Sequence, residues 1–264
     1  MSVAGVTRFT GTVGTLGHTR CLMNSFDRDI LLFLNRLMGR WPGWDGFING
    51  FEQSNLLKGA LFFALIWYLW FRPQHSEQQT LQVRQKLVAT LYALTVGIIL
   101  ARSLADLLPL RVRPAFNPEL NLRIPPTLRP TGLLSWSSFP SDHAVVWFTV
   151  AWGSLALDRK LGVLACGYAV FLGFGRVYMG VHYPSDIIGA AAIAAGVTWV
   201  CHRERVRTAL YAPVARLQLG HPGAFHAAAF LLTYEIASMF DHVRALGWSA
   251  WQALHHAAPL VGAR

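Results

Sequence analysis

Charge is scarce in this chain, and acid is scarcer than base. Charged residues make up 14% of its 264 positions, against 53% hydrophobic. A soluble domain carries about a quarter charged residues, so an ordinary water-facing surface is not expected. Asp and Glu number 13 against 23 Lys and Arg, a formal net charge of +10. Gathered into one patch, that excess would suit a nucleic acid. It is scattered instead through loops between apolar stretches, so the expected partners are anionic lipid heads and a phosphate-bearing substrate. Cysteine is rare as well. Cys21, Cys166 and Cys201 have neither metal-type nor redox-type spacing, which argues against a disulfide framework; they read as free thiols. No internal repeat or low-complexity tract is present. No secretory pattern with a cleavage site opens the chain, so the apolar spans themselves are expected to target it.

What the chain has is long apolar runs. A membrane helix needs about 17–25 such residues. Five candidates meet or approach this: Leu56–Phe71, Leu87–Leu108, Asp142–Leu157, Leu161–Met179 and Ile187–Cys201. A sixth, Ala224–Phe240, contains Glu235. Lys58, near one end of the first, is placed where a lysine can snorkel to the interface. The expected fold is all-α, a polytopic bundle of 5–6 transmembrane helices. Residues 1–22 read as a flexible tail, 23–50 as an amphipathic segment, 51–201 as the transmembrane core, and 202–264 as a sixth span or interfacial helix.

Within Ser25–Gly39, Phe26, Ile30, Phe33, Leu34, Leu37 and Met38 recur at helical spacing. Asp27, Arg28, Asn35 and Arg36 take the other side. Such a helix could lie in the membrane interface or pack on the bundle. Trp41 and Trp44 beside it suit the headgroup region.

The loop 109–140 is long and carries seven of the 13 prolines together with Arg111, Arg113, Arg123 and Arg129. It shares a face with the short loop before Ile187 if the spans alternate. The opposite face carries Arg72, Arg84, Lys86, Arg159, Lys160, Arg203, Arg205 and Arg207, which makes that face cytoplasmic by the positive-inside rule. Five arginines of the N-terminal segment count the other way. The expected location is the bacterial inner membrane, with the two loops on its outer side.

On that outer face, Arg113, Ser141, His143, Arg176, His182 and Asp186 gather at span ends. Each has a plain structural explanation. Ser141 and Ser185 are good helix N-caps, Asp142 and Asp186 favour a helix N-terminus, and Arg176 could be an anchor. Together they suggest phosphoryl transfer. Arginine holds phosphate oxygens, a helix N-terminus adds N–H groups, one histidine can attack phosphorus, and a second can protonate the leaving oxygen. His182 and Asp186, four residues apart, could pair.

"RP" at 113–114, "PSDH" at 140–143 and "RVYMGVHYPSD" at 176–186 resemble the three signatures of the type 2 phosphatidic acid phosphatase superfamily: K-x6-R-P, P-S-G-H and S-R-x5-H-x3-D. The resemblance runs over roughly residues 25–201, and PSDH is similar to the form found in bacterial undecaprenyl-diphosphate phosphatases. It implies His182 as a nucleophile forming a phosphohistidine, Asp186 as its orienter, and His143 as general acid and then base. It implies Arg113, Ser141 and Arg176 on the phosphate, with no metal and no cofactor. A zinc site on His143, His182 and Asp186 is the rival arrangement.

Three positions depart from the pattern. Asp106 stands where the lysine would be, Gly175 replaces the serine of the third signature, and Asp142 replaces the glycine of the second. Arg102 could pair with Asp106, and Arg111 or Arg102 could supply the missing cation. Asp142 is expected to turn away from a phosphate or to pair with an arginine. The activity implied is dephosphorylation of undecaprenyl diphosphate. Other outcomes are phosphatidic acid or phosphatidylglycerol phosphate as substrate, phosphoryl transfer to a lipid or sugar acceptor, and a non-catalytic lipid-binding relative.

Overall fold

The computed structural model describes residues 7–8, 23–125, 127–128 and 136–257. Arg129, Cys21 and most of the N-terminal segment lie outside them. The elements run in order as follows: β1 (Thr7–Arg8), α1 (Ser25–Asn35), α2 (Pro42–Gln53), a π-turn (Leu56–Ala60), α3 (Leu61–Phe71), α4 (Glu77–Leu107), a 3₁₀ turn (Pro114–Phe116), β2 (Arg123–Ile124), α5 (Asp142–Leu155), α6 (Arg159–Tyr178), α7 (Pro184–Cys201), α8 (Glu204–Gly220), α9 (Pro222–Ala237) and α10 (Asp241–Ala257). The expected all-α architecture is present. The two short strands pair antiparallel, so Thr7–Arg8, expected in a flexible tail, is tied to the loop 109–140.

The core is built by α4, α5, α6 and α7, with α5 touching the other three. Ser141 starts α5 by accepting the Ala144 N–H, and Asp158 starts α6 by accepting from Lys160 and Leu161. Every residue from Ala144 to Ala151 is buried. Among the described residues three helices, α4, α6 and α7, are long and apolar enough to cross a membrane. A fourth span follows if α2 and the helix after it, which meet at a 65° bend, count as one. The expected count of 5–6 differs for a physical reason. α5 has 14 residues and is sheathed by its neighbours, and α9 has 16. Leu164 (70% exposed), Trp199 (62%) and Ile188 (57%) point outward, as lipid-facing residues do. Antiparallel alternation brings the end of α4, the start of α5, the end of α6 and the start of α7 to one end of the bundle.

Helix α1 docks on α6 and α7. The face buried differs from the one its periodicity suggests. Asp27 and Leu31 are sealed at 0% and 1% exposure, and Met38 beyond the helix is buried too, whereas Phe26 and Phe33 are exposed. A buried acid outweighs two aromatics here because it has cationic and N–H partners, described below. The loop 109–140 is also more ordered than its composition implies: Ala115, Phe116, Leu120, Leu122 and Ile124 form a small core with Leu31.

Candidate active site

His182 follows α6 in a tight turn and is 1% exposed. Its Nδ1 lies 2.8 Å from the Ser138 carbonyl oxygen and 3.4 Å from Asp186 Oδ2. A carbonyl only accepts, so the ring proton sits on Nδ1. Its Nε2 lies 3.1 Å from Arg113 Nη1, which only donates. Both partners therefore select one tautomer, leaving a lone pair on Nε2. Burial pushes the imidazole down to about 4; Asp186 opposes that shift, and Arg113 and Arg176 add to it. The ring is thus neutral at neutral pH.

Asp186 is wholly buried and is fixed from three sides. Oδ2 accepts the Tyr183 N–H at 2.8 Å, Oδ1 accepts Arg111 Nη1 at 2.5 Å, and His182 is the third neighbour. Arg111 also reaches Asp27 at 2.6 Å and lies over the Tyr183 ring at 4.0 Å. Asp27 in turn accepts from Ser185 N at 2.9 Å and Ser185 Oγ at 2.6 Å. A chain of contacts thus runs Asp27–Arg111–Asp186–His182. This corrects the expectation that Arg111 supplies a phosphate cation: its guanidinium is spent on two carboxylates and a serine.

Beside this lies a cavity of ≈ 510 Å³ whose walls include Arg113, Arg176, His143, Asp142 and Arg102. Lys58, Glu52, Asp241 and Arg244 also line it, so five cations face three carboxylates. Arg176 donates to Glu52 Oε2 at 2.9 Å and lies 2.9 Å from His143 Nδ1. The same His143 nitrogen is 2.9 Å from Asp142 Oδ1. Arg113 and Arg176 are each 9% exposed, and the Nε of each is buried without a partner. Buried donors left unpaired at a cationic wall suit an anionic ligand. Burial, and next Arg176, pushes Arg113 down to about 10, so it stays charged at neutral pH.

The three departures from the family pattern have physical accounts. Asp142 pairs with Arg102 at 2.5 Å, which meets the expectation of an arginine partner. Arg102 therefore does not pair with Asp106, which is exposed; Arg102 also stacks on Trp136 at 4.4 Å. Gly175 leaves room for Glu52: a Cβ there would lie 3.1 Å from Glu52 Oε1. Ser141, expected on the phosphate, is 0% exposed with its oxygen engaged in the α5 cap, and it does not line the cavity. Ser185 does not cap its helix. Pro184 is the first residue of α7, and the Ser185 N–H is capped from outside by Asp27. The zinc alternative needs His143, His182 and Asp186 in one cluster. His143 turns to Asp142 and Arg176, and among the described residues no three His, Cys, Asp or Glu side chains are placed to hold a metal ion.

Sequence reasoning missed Asp27, Glu52, Lys58 and Arg244. Asp27 and Glu52 left a faint signal as acids next to apolar stretches; Arg244 left none.

The sequence model of the PAP2 superfamily matches residues 86–208, which hold Arg102, Arg113, His143, Arg176, His182 and Asp186. Similar proteins include the undecaprenyl-diphosphatase BcrC of Bacillus subtilis, 34% identical over 58 residues, which is 22% of this chain and 30% of BcrC. The lipid A 4'-phosphatase of Bacteroides thetaiotaomicron is 28% identical over 184 residues, 67% of this chain and 76% of that protein. The crystal structure of Aquifex aeolicus LpxE aligns at 25% identity over 66% of this chain and 92% of LpxE, with a TM-score of 0.47. Arg111, Ser138 and the Asp142–Arg102 pair also fall inside the PAP2 segment, whereas Asp27, Glu52, Lys58 and Arg244 lie outside it.

Proposed function

We propose that the protein is an integral-membrane phosphatase that removes phosphate from a lipid phosphate or diphosphate through a phosphohistidine on His182. The observation that carries this reading is the His182 Nε2 lone pair facing Arg113 at 3.1 Å, next to a cavity walled by Arg113 and Arg176, whose buried Nε groups have no partner. Arg113 and Arg176 take the phosphate oxygens. In doing so Arg113 leaves Nε2, which attacks phosphorus. The bond from phosphorus to the lipid oxygen breaks, and His143, which takes up a proton from water beside the bound phosphate, gives it to that oxygen. His143 then takes a proton from water, the water oxygen attacks phosphorus, and the P–N bond breaks to free phosphate and restore His182. Asp186 and the Ser138 carbonyl hold the ring, and as Nδ1 becomes positively charged they stabilise it.

The substrate best supported is undecaprenyl diphosphate, from the PSDH sequence and the likeness to BcrC. A lipid A phosphate is the second reading, favoured by the 67% of the chain matched to a lipid A 4'-phosphatase. The site opens on the outer face of the bacterial inner membrane in this account. Arg84, Lys86, Arg159, Lys160 and Arg203 support that orientation by lying at the opposite end of the bundle. The catalytic core is residues 51–201, to which Asp27 and Arg244 add from outside.

Purified protein in detergent tests this. It is expected to release phosphate from undecaprenyl diphosphate faster than from lipid A, undecaprenyl phosphate or phosphatidic acid, with a strong chelator present, and folded His182→Ala is expected to release none. Release from none of these lipids, or retained release by His182→Ala, contradicts the reading.

A further inference from the structure

One lysine in the cavity has no role in the chemistry above. Lys58 sits in an apolar stretch, on the π-turn, and lines the same cavity as Arg113, Arg176 and His143. A π-turn inserts an extra residue into a helix and often marks a functional position. This one is locked in place from behind. A Cβ on Gly59 would lie 2.1 Å from the Ala237 carbonyl oxygen at the end of α9. Trp67 Nε1 adds a hydrogen bond to Thr233 of α9 at 3.1 Å. Helix α9 thus presses the turn into the bundle, with Lys58 on the cavity wall.

The pairing of the cavity's cations singles Lys58 out. Arg102 has Asp142, Arg176 has Glu52, and Arg244 has Asp241. Lys58 donates to the Glu52 backbone oxygen at 3.2 Å and, among the described residues, forms no ion pair with a carboxylate. Arg113 is the other cation of the cavity that, among the described residues, meets neutral groups alone, the Val181 carbonyl and His182. Placing an ammonium group in an apolar helix pair without a counter-ion is costly. An anion in the cavity offsets that cost. Position 106, where the first signature would carry a cation, holds an exposed aspartate that is not on the wall.

We infer that Lys58 binds an oxygen of the substrate phosphate, supplying from the π-turn the cation that position 106 does not. The inference rests on the phosphatase reading. The charge it contributes is a compact ammonium with three donors, suited to an oxygen approached from any side.

The test uses orthovanadate as the phosphate probe. In full-length protein with an unchanged melting temperature, Lys58→Met raises both KM for the lipid and the vanadate inhibition constant by about tenfold or more. Lys58→Arg restores most of both. Constants within about twofold of wild type in Lys58→Met overturn the inference. Should Lys58→Met fail to fold, the wild-type protein answers instead. The chain has three lysines, Lys58, Lys86 and Lys160, and the last two lie at the far end of the bundle. Saturating vanadate is expected to slow acylation of Lys58 by acetic anhydride and to leave the other two unchanged; equal labelling of Lys58 with and without vanadate overturns the inference. His182→Ala assayed alongside keeps the two ideas apart. Phosphate release that survives it counts against the phosphatase reading, whereas lost release with an indifferent Lys58 counts against this inference alone.

Discussion

Replacing Asp27 probes how far the site extends beyond the loops that carry its motifs. The side chain is 0% exposed and holds three groups: Arg111 Nη2 at 2.6 Å, Ser185 N at 2.9 Å and Ser185 Oγ at 2.6 Å. Asp27→Ala leaves a partly buried guanidinium with one carboxylate where it had two, and removes the acceptor of the Ser185 N–H in the first turn of α7. Breaking a buried ion pair by removing one partner costs about 3–5 kcal/mol. For a chain of this size that corresponds to a fall in melting temperature of roughly 6–20 °C. Asp27→Asn keeps the shape and one acceptor oxygen and is expected to lose less. The rate should respond more weakly than stability, because two contacts, Arg111 and Asp186, separate Asp27 from His182. A loss of about tenfold in kcat with KM little changed is expected, from the weaker hold on Asp186. The assay is a thermal melt in detergent beside phosphate release. An unchanged melting temperature in Asp27→Ala would refute the reasoning, because α1 would then lie on the membrane without a buried ion pair.

Further predictions follow from single contacts. Gly59→Ala places a Cβ 2.1 Å from the Ala237 carbonyl, and neither group is the end of a flexible side chain. It should lower the melting temperature, and a neutral result would show that α9 does not press on the π-turn. The His182 ring is expected to titrate near pH 4, read from the imidazole NMR signal that His182→Ala removes; titration near pH 6.5, where an unperturbed histidine titrates, would contradict the buried, neutral ring. The same shift bears on stability. The unfolded chain binds the His182 proton below its ordinary pKa and the folded chain does not, so stability is lost as pH falls from about 6.5 to 4, by roughly 3 kcal/mol. Glu52→Gln should leave Arg176 without its ion pair at 2.9 Å and change KM more than the melting temperature, as read by a substrate titration.

The groups at span ends were legible because their spacing is local. His182 and Asp186 are four residues apart, and the turn that joins them is short. Arg113, His143 and Arg176 each follow or open an apolar run, so alternation alone brings them to one face. What could not be read was any choice among partners distant in sequence. Asp27 finds Arg111 across 84 residues, and Arg176 finds Glu52 across 124. For α1 the periodicity placed Asp27 on the outer side, because hydropathy carries no information on a buried counter-ion. Arg102 and Arg111 were plausible phosphate ligands from position alone. Arg111 instead neutralises two buried carboxylates away from the cavity, whereas Arg102 pairs with Asp142 on the cavity wall. Lys58 read as a snorkelling residue because an apolar run gives no sign of where a helix bends.

The central claim is that phosphate passes through His182 Nε2. Rapid quenching of the enzyme with radiolabelled lipid substrate, followed by peptide mapping, tests it most directly. An acid-labile, alkali-stable phosphoryl group on His182, absent from His182→Ala, is the result predicted. Turnover with no such adduct on His182, or an adduct on His143 in its place, would contradict it.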